Sequence, residues 1–426
     1  MEQDLQQDNA PGAGSSRGTR TFAALRDPTF RRLWMVAGFY YVSRTTEVAV
    51  LSWLVLELTG SPFAVALVGV SRVLPMFIFG LVSGSLSDRL PRKRLMLLAQ
   101  ATNLAVASVM MALLFTGNGQ AWHAFTAIFI TGTMWALDWP ARRALIADIF
   151  SGKALTNATS LDSGLITGSN MIGPLFGTTL IRFGDFGGAY AGIATLLASA
   201  LLLTFSLRID ARPAQDPSPV SPLRHVRDAA SAMVENRTLL AAVLLTAAFN
   251  FFGFPFMQMV PVIGREFLGT SEVGYGLLVS AVGVGALVGA IGLASVQPAK
   301  RGAVYVFGSV VLMAAVGVFA WTPWYAVSFA LMLVAGLGLA GFAVMQPAMA
   351  LEAVKPELRG RAMGAISLGI GMQAPGMLLT GALAEVIGPR ESLTLVIVSG
   401  ITVVLLLRKL FPALRDVPER ETQPLA

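Results

Sequence analysis

The sequence predicts an all-α membrane protein with twelve spans, and three observations carry that prediction. Only 13% of the 426 residues are charged, about half the share usual in soluble domains, while 55% are hydrophobic. Long uncharged runs rich in Gly and Leu raise the mean hydropathy to +0.68. The basic residues collect in alternate connections between those runs, as they do beside membrane spans.

Runs long enough to cross about 30 Å of hydrocarbon are Leu33–Leu58, Pro62–Leu86, Leu95–Thr116, Ala121–Ile146, Ala154–Ile181 and Ala189–Leu207 in the first half. The second half contributes Leu239–Ile263, Val273–Val296, Ala303–Trp321, Trp324–Leu351, Ala362–Ile387 and the shorter Leu393–Leu407. The expected organisation is a tail (residues 1–32), six spans (33–208), a Pro-rich polar linker (209–237), six more spans (238–408) and a second tail (409–426). With both termini on one side, that side holds 26 of the 31 lysines and arginines, and the opposite side holds only Arg182, Arg265 and Arg390. This bias places both termini in the cytoplasm. It also explains the net charge of +7 by topology, so no nucleic-acid partner is expected.

Other classes are excluded by absence. The chain has no cysteine, which removes disulfides, thiolate metal sites and cysteine nucleophiles. Only His123 and His225 offer imidazole. No Gly-rich loop ending in Lys-Ser/Thr is present to cradle a nucleotide, and no nucleophile–base or metal constellation appears. The expectation is therefore no cofactor, no metal and no enzyme. The polar first thirty residues show no cleavable signal peptide.

An internal repeat relates the two halves. Pro91, Lys93 and Arg94 align with Pro298, Lys300 and Arg301, 207 residues further on. At the same offset "PARRALIADIFSGKALTNATSL" from Pro140 meets "PAMALEAVKPELRGRAMGAISL" from Pro347, with Ala158, Ser160, Leu161 and Gly164 matching Ala365, Ser367, Leu368 and Gly371. Two parallel six-span halves joined by a cytoplasmic linker form a repeat pattern found in secondary transporters.

The stretch "GSLSDRLPRKR" after the second span resembles the loop signature G-x-L-a-D-R-x-G-R-K/R of the major facilitator superfamily. Gly84, Leu86, Asp88, Arg89, Arg92 and Lys93 occupy its positions, and Pro91 stands where the signature has Gly. "ELTGSP", "PARRALIADI" and "ELRGRAMG" are similar to the branch of bacterial siderophore exporters, such as the enterobactin exporter, and macrolide effluxers. The resemblance implies two pseudo-symmetric six-helix bundles around a central cavity, with spans 1, 4, 7 and 10 lining it and 3, 6, 9 and 12 facing lipid. It also implies a latch that closes the cytoplasmic side when the transporter faces outward. In the latch so implied, Asp88 is expected to accept hydrogen bonds at the start of the eleventh span and to pair with Arg359 or Arg361, with Gly84, Arg89, Arg92, Arg142, Arg143 and Asp148 in the same cluster. Lipid anchoring alone explains bases such as Arg92, Lys93 and Arg94, but it does not explain an acid.

Charges within spans need a cause, because each costs roughly 2.5–3.5 kcal/mol at the bilayer centre. Arg44 and Glu47 lie three apart on one face of the first span and can pair with each other. Arg72 lies in the second span, Asp138 in the fourth, Asp162 in the fifth, and Glu352 at the inner end of the tenth. Asp138 sits before Trp139 and Pro140, within reach of Arg142 four residues on. Spans 3, 6, 9 and 12 contain no Asp, Glu, Lys, Arg or His, in agreement with the lipid-facing places the resemblance assigns them. The candidate proton carriers are Asp138, Glu47, Asp162 and Glu352. Asp138 ranks ahead of Glu47 because it lies nearer the cytoplasm, where an antiport cycle releases its proton. Asp162 is expected to make a packing hydrogen bond.

Aromatic and polar groups complete the candidate substrate cavity: Tyr40, Tyr41 and Arg44 in the first span, and Asn250, Phe251 and Phe254 in "NFFGFPFMQM" of the seventh. A mostly apolar wall with few polar groups suits a bulky amphipath better than a sugar. The sequence is thus read as a monomeric inner-membrane transporter exporting small amphipathic molecules, drug-like or siderophore-type, against a proton gradient. Proton-coupled import and lipid or lysolipid translocation are the alternatives.

Overall fold

The computed structural model describes residues 22–89, 91–207, 231, 233, 236–296, 298–355 and 358–415, with the side chains of 77 and 79–89 outside that description. Among the described residues there are helices and no strands. In chain order these are α1 (Pro28–Thr59), α2 (Pro62–Arg89), α3 (Arg92–Phe115), α4 (Ala121–Ile149), α5 (Gly152–Ser206), α6 (Arg237–Ala248), α7 (Phe256–Glu266), α8 (Glu272–Val296), α9 (Arg301–Phe319), α10 (Tyr325–Glu352), α11 (Arg359–Gly371), α12 (Gln373–Ile387) and α13 (Pro389–Leu410). Eight helical segments among these residues are long and apolar enough to cross a membrane. The chain is a multi-pass membrane protein. The segments that meet this composition do not include α1 or α4, whose middles carry Arg44 and Glu47, and Asp138 and Arg142.

Local chemistry explains the ends. Asp27 caps α1 by accepting a hydrogen bond from the Phe30 amide at 2.7 Å, and Pro28 opens the first turn. Gly60, at φ 63°, ends α1 in the left-handed region, where a residue without a Cβ is unstrained.

Two expected spans, the seventh and the eleventh, are broken rather than simple rods, and a tight turn joins the fifth to the sixth. The fifth and sixth are two separate helical arms of α5, divided by the non-helical turn at Gly184 and at Asp185, whose φ is 53°. The chain folds back there, because a Cβ on Gly188 would lie 3.8 Å from the Leu180 carbonyl, far closer than eight helical residues allow. The seventh span breaks into α6 and α7 through a π turn at Phe249–Gly253, before Pro255, which has no amide to continue the ladder. The eleventh breaks into α11 and α12 around Met372, ahead of Pro375. The two breaks meet: Gly376 lies directly against the carbonyl of Phe251, and any side chain at 376 would collide with that backbone.

Helices of residues 28–206 pack mainly on one another, as do those of 237–410. The α1–α5 seam shows why. Ser169, Gly173 and Gly177 recur every four residues on α5, so α1 approaches closely enough for Thr45 to donate to the Ser169 carbonyl at 2.8 Å and Thr46 to the Gly173 carbonyl at 3.0 Å. Hydroxyl-to-backbone bonds of this kind hold helices together where lipid offers no hydrophobic drive.

Contacts between the two sets of helices gather at the end that contains Gly60. Arg265 donates to the Leu56 carbonyl at the C-terminus of α1 (3.1 Å), while Glu385 accepts from Ser61 (2.8 Å) and the Phe63 amide (3.3 Å) at the N-terminus of α2. A cation at a helix C-terminus and an anion at an N-terminus both complement the helix dipole. Beneath them Leu56, Val65 and Val262 form a small buried cluster, and Trp53 stacks on Tyr275 at 5.5 Å. Glu385→Ala is expected to loosen this closure. In this cysteine-free chain a maleimide added from outside should label Val262→Cys severalfold faster once Glu385 is removed; an unchanged rate would show that the clamp does not hold the outer end.

Candidate functional site

The charged residues of the first half assemble into two connected layers. In the inner layer Asp138 and Arg142, one turn apart on α4, form a completely buried ion pair with N–O distances of 2.8–3.1 Å. The Arg142 guanidinium also lies 5.4 Å from the rings of both Tyr40 and Tyr41. Tyr41 donates to Asp162 at 3.0 Å, and the Asn103 amide donates to the Tyr40 hydroxyl at 3.0 Å. These bonds tie α1, α3, α4 and α5 together. In the outer layer Glu47 is buried, and Thr131 of α4 donates to it at 2.9 Å. Arg72 of α2 interacts electrostatically with Glu47, and its backbone carbonyl packs against Gly132. Trp135 joins the layers. It lies under the Arg44 guanidinium at 3.8 Å, stacks with Tyr40 at 6.3 Å and meets Tyr41 edge-on at 5.6 Å.

Several expectations change. Arg44 and Glu47 do not form the pair that their spacing permits: Arg44 lies on Trp135, while Glu47 takes the Thr131 hydroxyl. Indole stacking and a hydroxyl donor from α4 compete successfully with a pair confined to one helix. Tyr40 and Tyr41 do not line an open cavity. They are 1% and 2% exposed because Asn103, Arg142 and Asp162 hold them between helices. Asn250 is likewise buried and returns its amide to the Thr246 carbonyl at 2.9 Å, whereas Phe251 and Phe254 remain half-buried. Arg142 is buried in the bundle and paired with Asp138. Asp148 pairs with Arg92, which also donates to the Ala144 carbonyl, and this joins α3 to α4. Lys93 donates to the Phe205 and Leu207 carbonyls, so it caps the end of α5. Glu352, at the C-terminus of α10, is exposed and paired with Arg301 at the N-terminus of α9. Asp162 makes the packing bond expected of it.

Arg359 and Arg361 are exposed at the start of α11. The side chains of Asp88 and Arg89, and any Cβ contact of Gly84, lie outside the described residues.

Sequence reasoning passed over Thr131, Asn103, Trp135 and Trp139. The tryptophans had a legible signal, since Trp135, Trp139 and Arg143 recur every four residues on one face of α4. Thr131 and Asn103 had none, because their partners come from another helix. Within this buried region the Tyr190 hydroxyl, the Gln100 amide and the Asn103 carbonyl have no hydrogen-bond partner among the described residues.

Comparison with known proteins agrees with this architecture. The family model described as "Transmembrane secretion effector" matches residues 19–425. The chain is 24% identical to the staphyloferrin A transporter of Staphylococcus aureus over 241 residues, 52% of this chain. That match spans just over half of the relative's length, 56%. Macrolide efflux protein A of Streptococcus pyogenes is 22% identical over 360 residues, covering 81% of this chain and 86% of that protein. Among solved structures, a bacterial homologue of the human lysosomal transporter Spinster, inward-facing and unoccupied, superposes with a TM-score of 0.70 at 16% identity, over 95% of this chain and all of that one. A POT family transporter bound to 5-aminolevulinic acid superposes with a TM-score of 0.73 at 11% identity, over 90% and 96% of the two chains. At such identities the structures speak for the fold alone. The buried charges lie within a transporter fold, and the chain belongs to the transmembrane secretion effector family of the major facilitator superfamily.

Proposed function

We propose that this transporter exports small amphipathic molecules, drug-like or siderophore-type, in exchange for protons, by alternating access between two six-helix bundles. It acts as a monomer in the bacterial inner membrane, with both termini in the cytoplasm. The observation that carries the reading is an asymmetry. Hydrogen bonds and an apolar cluster join the two sets of helices at the outer end, while the charged layers of the first half lie deeper and make their bonds within that half. Such a state is closed outside and receives substrate from the cytoplasm. The efflux function in one relative's name supports export. In the opposite state Asp88 meets Arg359 or Arg361 and closes the inner side.

Glu47 is the preferred proton carrier, and the geometry supports placing it ahead of Asp138. A carrier must change charge during the cycle. Protonating Asp138 breaks its hydrogen-bonded pair with Arg142 and strands a buried guanidinium, whereas Glu47 takes its hydrogen bond from the neutral Thr131 hydroxyl and meets Arg72 only electrostatically.

Inverted membrane vesicles test the function. Acidifying their interior should drive uptake of radiolabelled erythromycin, and a protonophore should abolish it. Gradient-driven accumulation in right-side-out vesicles instead would make the protein an importer, and movement of fluorescent lysolipid alone would make it a lipid translocator.

A further inference from the structure

One side of the inner layer is not consumed by packing. Along α4, Trp135, Trp139 and Arg143 form a stripe at four-residue spacing, and Arg44 of α1 extends it. The Arg44 guanidinium lies 3.8 Å from the centre of the Trp135 ring and that of Arg143 lies 4.3 Å from the Trp139 ring. The two indoles are nearly parallel, at 29°, with centroids 6.4 Å apart. The result is a cation–indole–indole–cation ladder. Arg143 is exposed, and Arg44, Trp135 and Trp139 are half-buried. A guanidinium as deep in its span as Arg44 does not face lipid, so its open surface and that of the Trp135 ring it covers face the interior of the fold.

Neither Arg44 nor Arg143 takes part in the ion pairs found among the described residues. The local acids are already engaged: Asp138 holds Arg142, Asp162 holds the Tyr41 hydroxyl, and Glu47 holds that of Thr131. Among the described side chains four arginines, 44, 72, 142 and 143, therefore stand against three carboxylates, 47, 138 and 162, an excess of positive charge. A guanidinium laid on an indole has its face covered but keeps the N–H edge that binds a carboxylate in two-point fashion. The adjoining indoles supply a flat apolar surface.

We propose that this ladder is a substrate subsite for amphipathic anions with a planar body, the acid on a guanidinium edge and the flat part against Trp135 and Trp139. Arg143, near the inner end of α4, is the first contact; Arg44, about 12 Å deeper by helical rise, is the second. The substrate class deepens the export reading above, but binding requires no gradient and is measured without one.

The experiment compares three probes that share a naphthalene ring: 2-naphthoate, 2-naphthylmethylamine and 2-naphthalenemethanol. Each is equilibrated by dialysis with the purified full chain in neutral detergent. The anion should bind at least about tenfold more tightly than the amine, the effect of roughly one favourable charge contact in a partly desolvated site. Arg143→Gln and Arg44→Gln should each lower naphthoate affinity about tenfold while leaving the alcohol unchanged, which also shows that the variants remain folded. Arg143→Lys should retain the charge preference, and Trp139→Leu should weaken all three probes. The proposal is overturned if the amine binds as well as the anion, if the preference survives both glutamine variants, or if none of the three probes binds. Anion preference without gradient-driven transport would leave this subsite standing and remove only the export reading.

Discussion

Arg142→Gln is expected to lose most of its folded protein, because it leaves Asp138 buried without a counter-ion. The pair is completely inaccessible, and the carboxylate receives three hydrogen bonds from that one guanidinium. Removing one partner of a buried ion pair typically costs 3–5 kcal/mol, a large part of the stability of a single domain. Tyr40 and Tyr41 also lose the cation between their rings. The midpoint of thermal unfolding in detergent, followed by tryptophan fluorescence, should fall clearly. Adding Asp138→Asn should recover much of the loss, because a neutral pair leaves no stranded charge. A single variant as stable as the parent would show that the pair contributes nothing to the fold.

Glu47→Gln is expected to leave a folded protein that no longer couples to protons. Glutamine keeps an oxygen to accept the Thr131 hydroxyl and retains nearly the same volume, so packing between α1 and α4 survives. It cannot take up or release a proton. Gradient-driven uptake into inverted vesicles should therefore drop at least tenfold, while substrate exchange down its own gradient continues. Thr131→Val provides a control, since it removes the donor but leaves a titratable carboxylate, and coupling should persist. Full gradient-driven transport in Glu47→Gln would pass the carrier's role to Asp138 or Asp162.

Much of this architecture was legible in the chain. Lipid imposes a length and an apolarity on every span, and both are properties of a single segment. The transmembrane class could therefore be read from composition, and most helix positions from uninterrupted apolar runs. Where the expected spans broke, the causes were local as well: Pro255 and Pro375. The loop signature around Asp88 was equally local and identified the superfamily.

The partners of the charged residues were not legible. Spacing on one helix allowed Arg44 to meet Glu47 and Asp138 to meet Arg142, with no local reason to prefer either pair. Only the tertiary structure separated them. The close approach of α1, allowed by Ser169, Gly173 and Gly177, sets Tyr40 and Tyr41 against Arg142. On the same helix Glu47 meets Thr131, and Arg44 lies over Trp135. A buried charge takes whichever donor or ring relieves its desolvation most, and those groups come from other helices hundreds of atoms away along the chain. The sequence by itself determined that charges lie inside the membrane; packing decided which of them are locked and which remain available to a ligand or a proton.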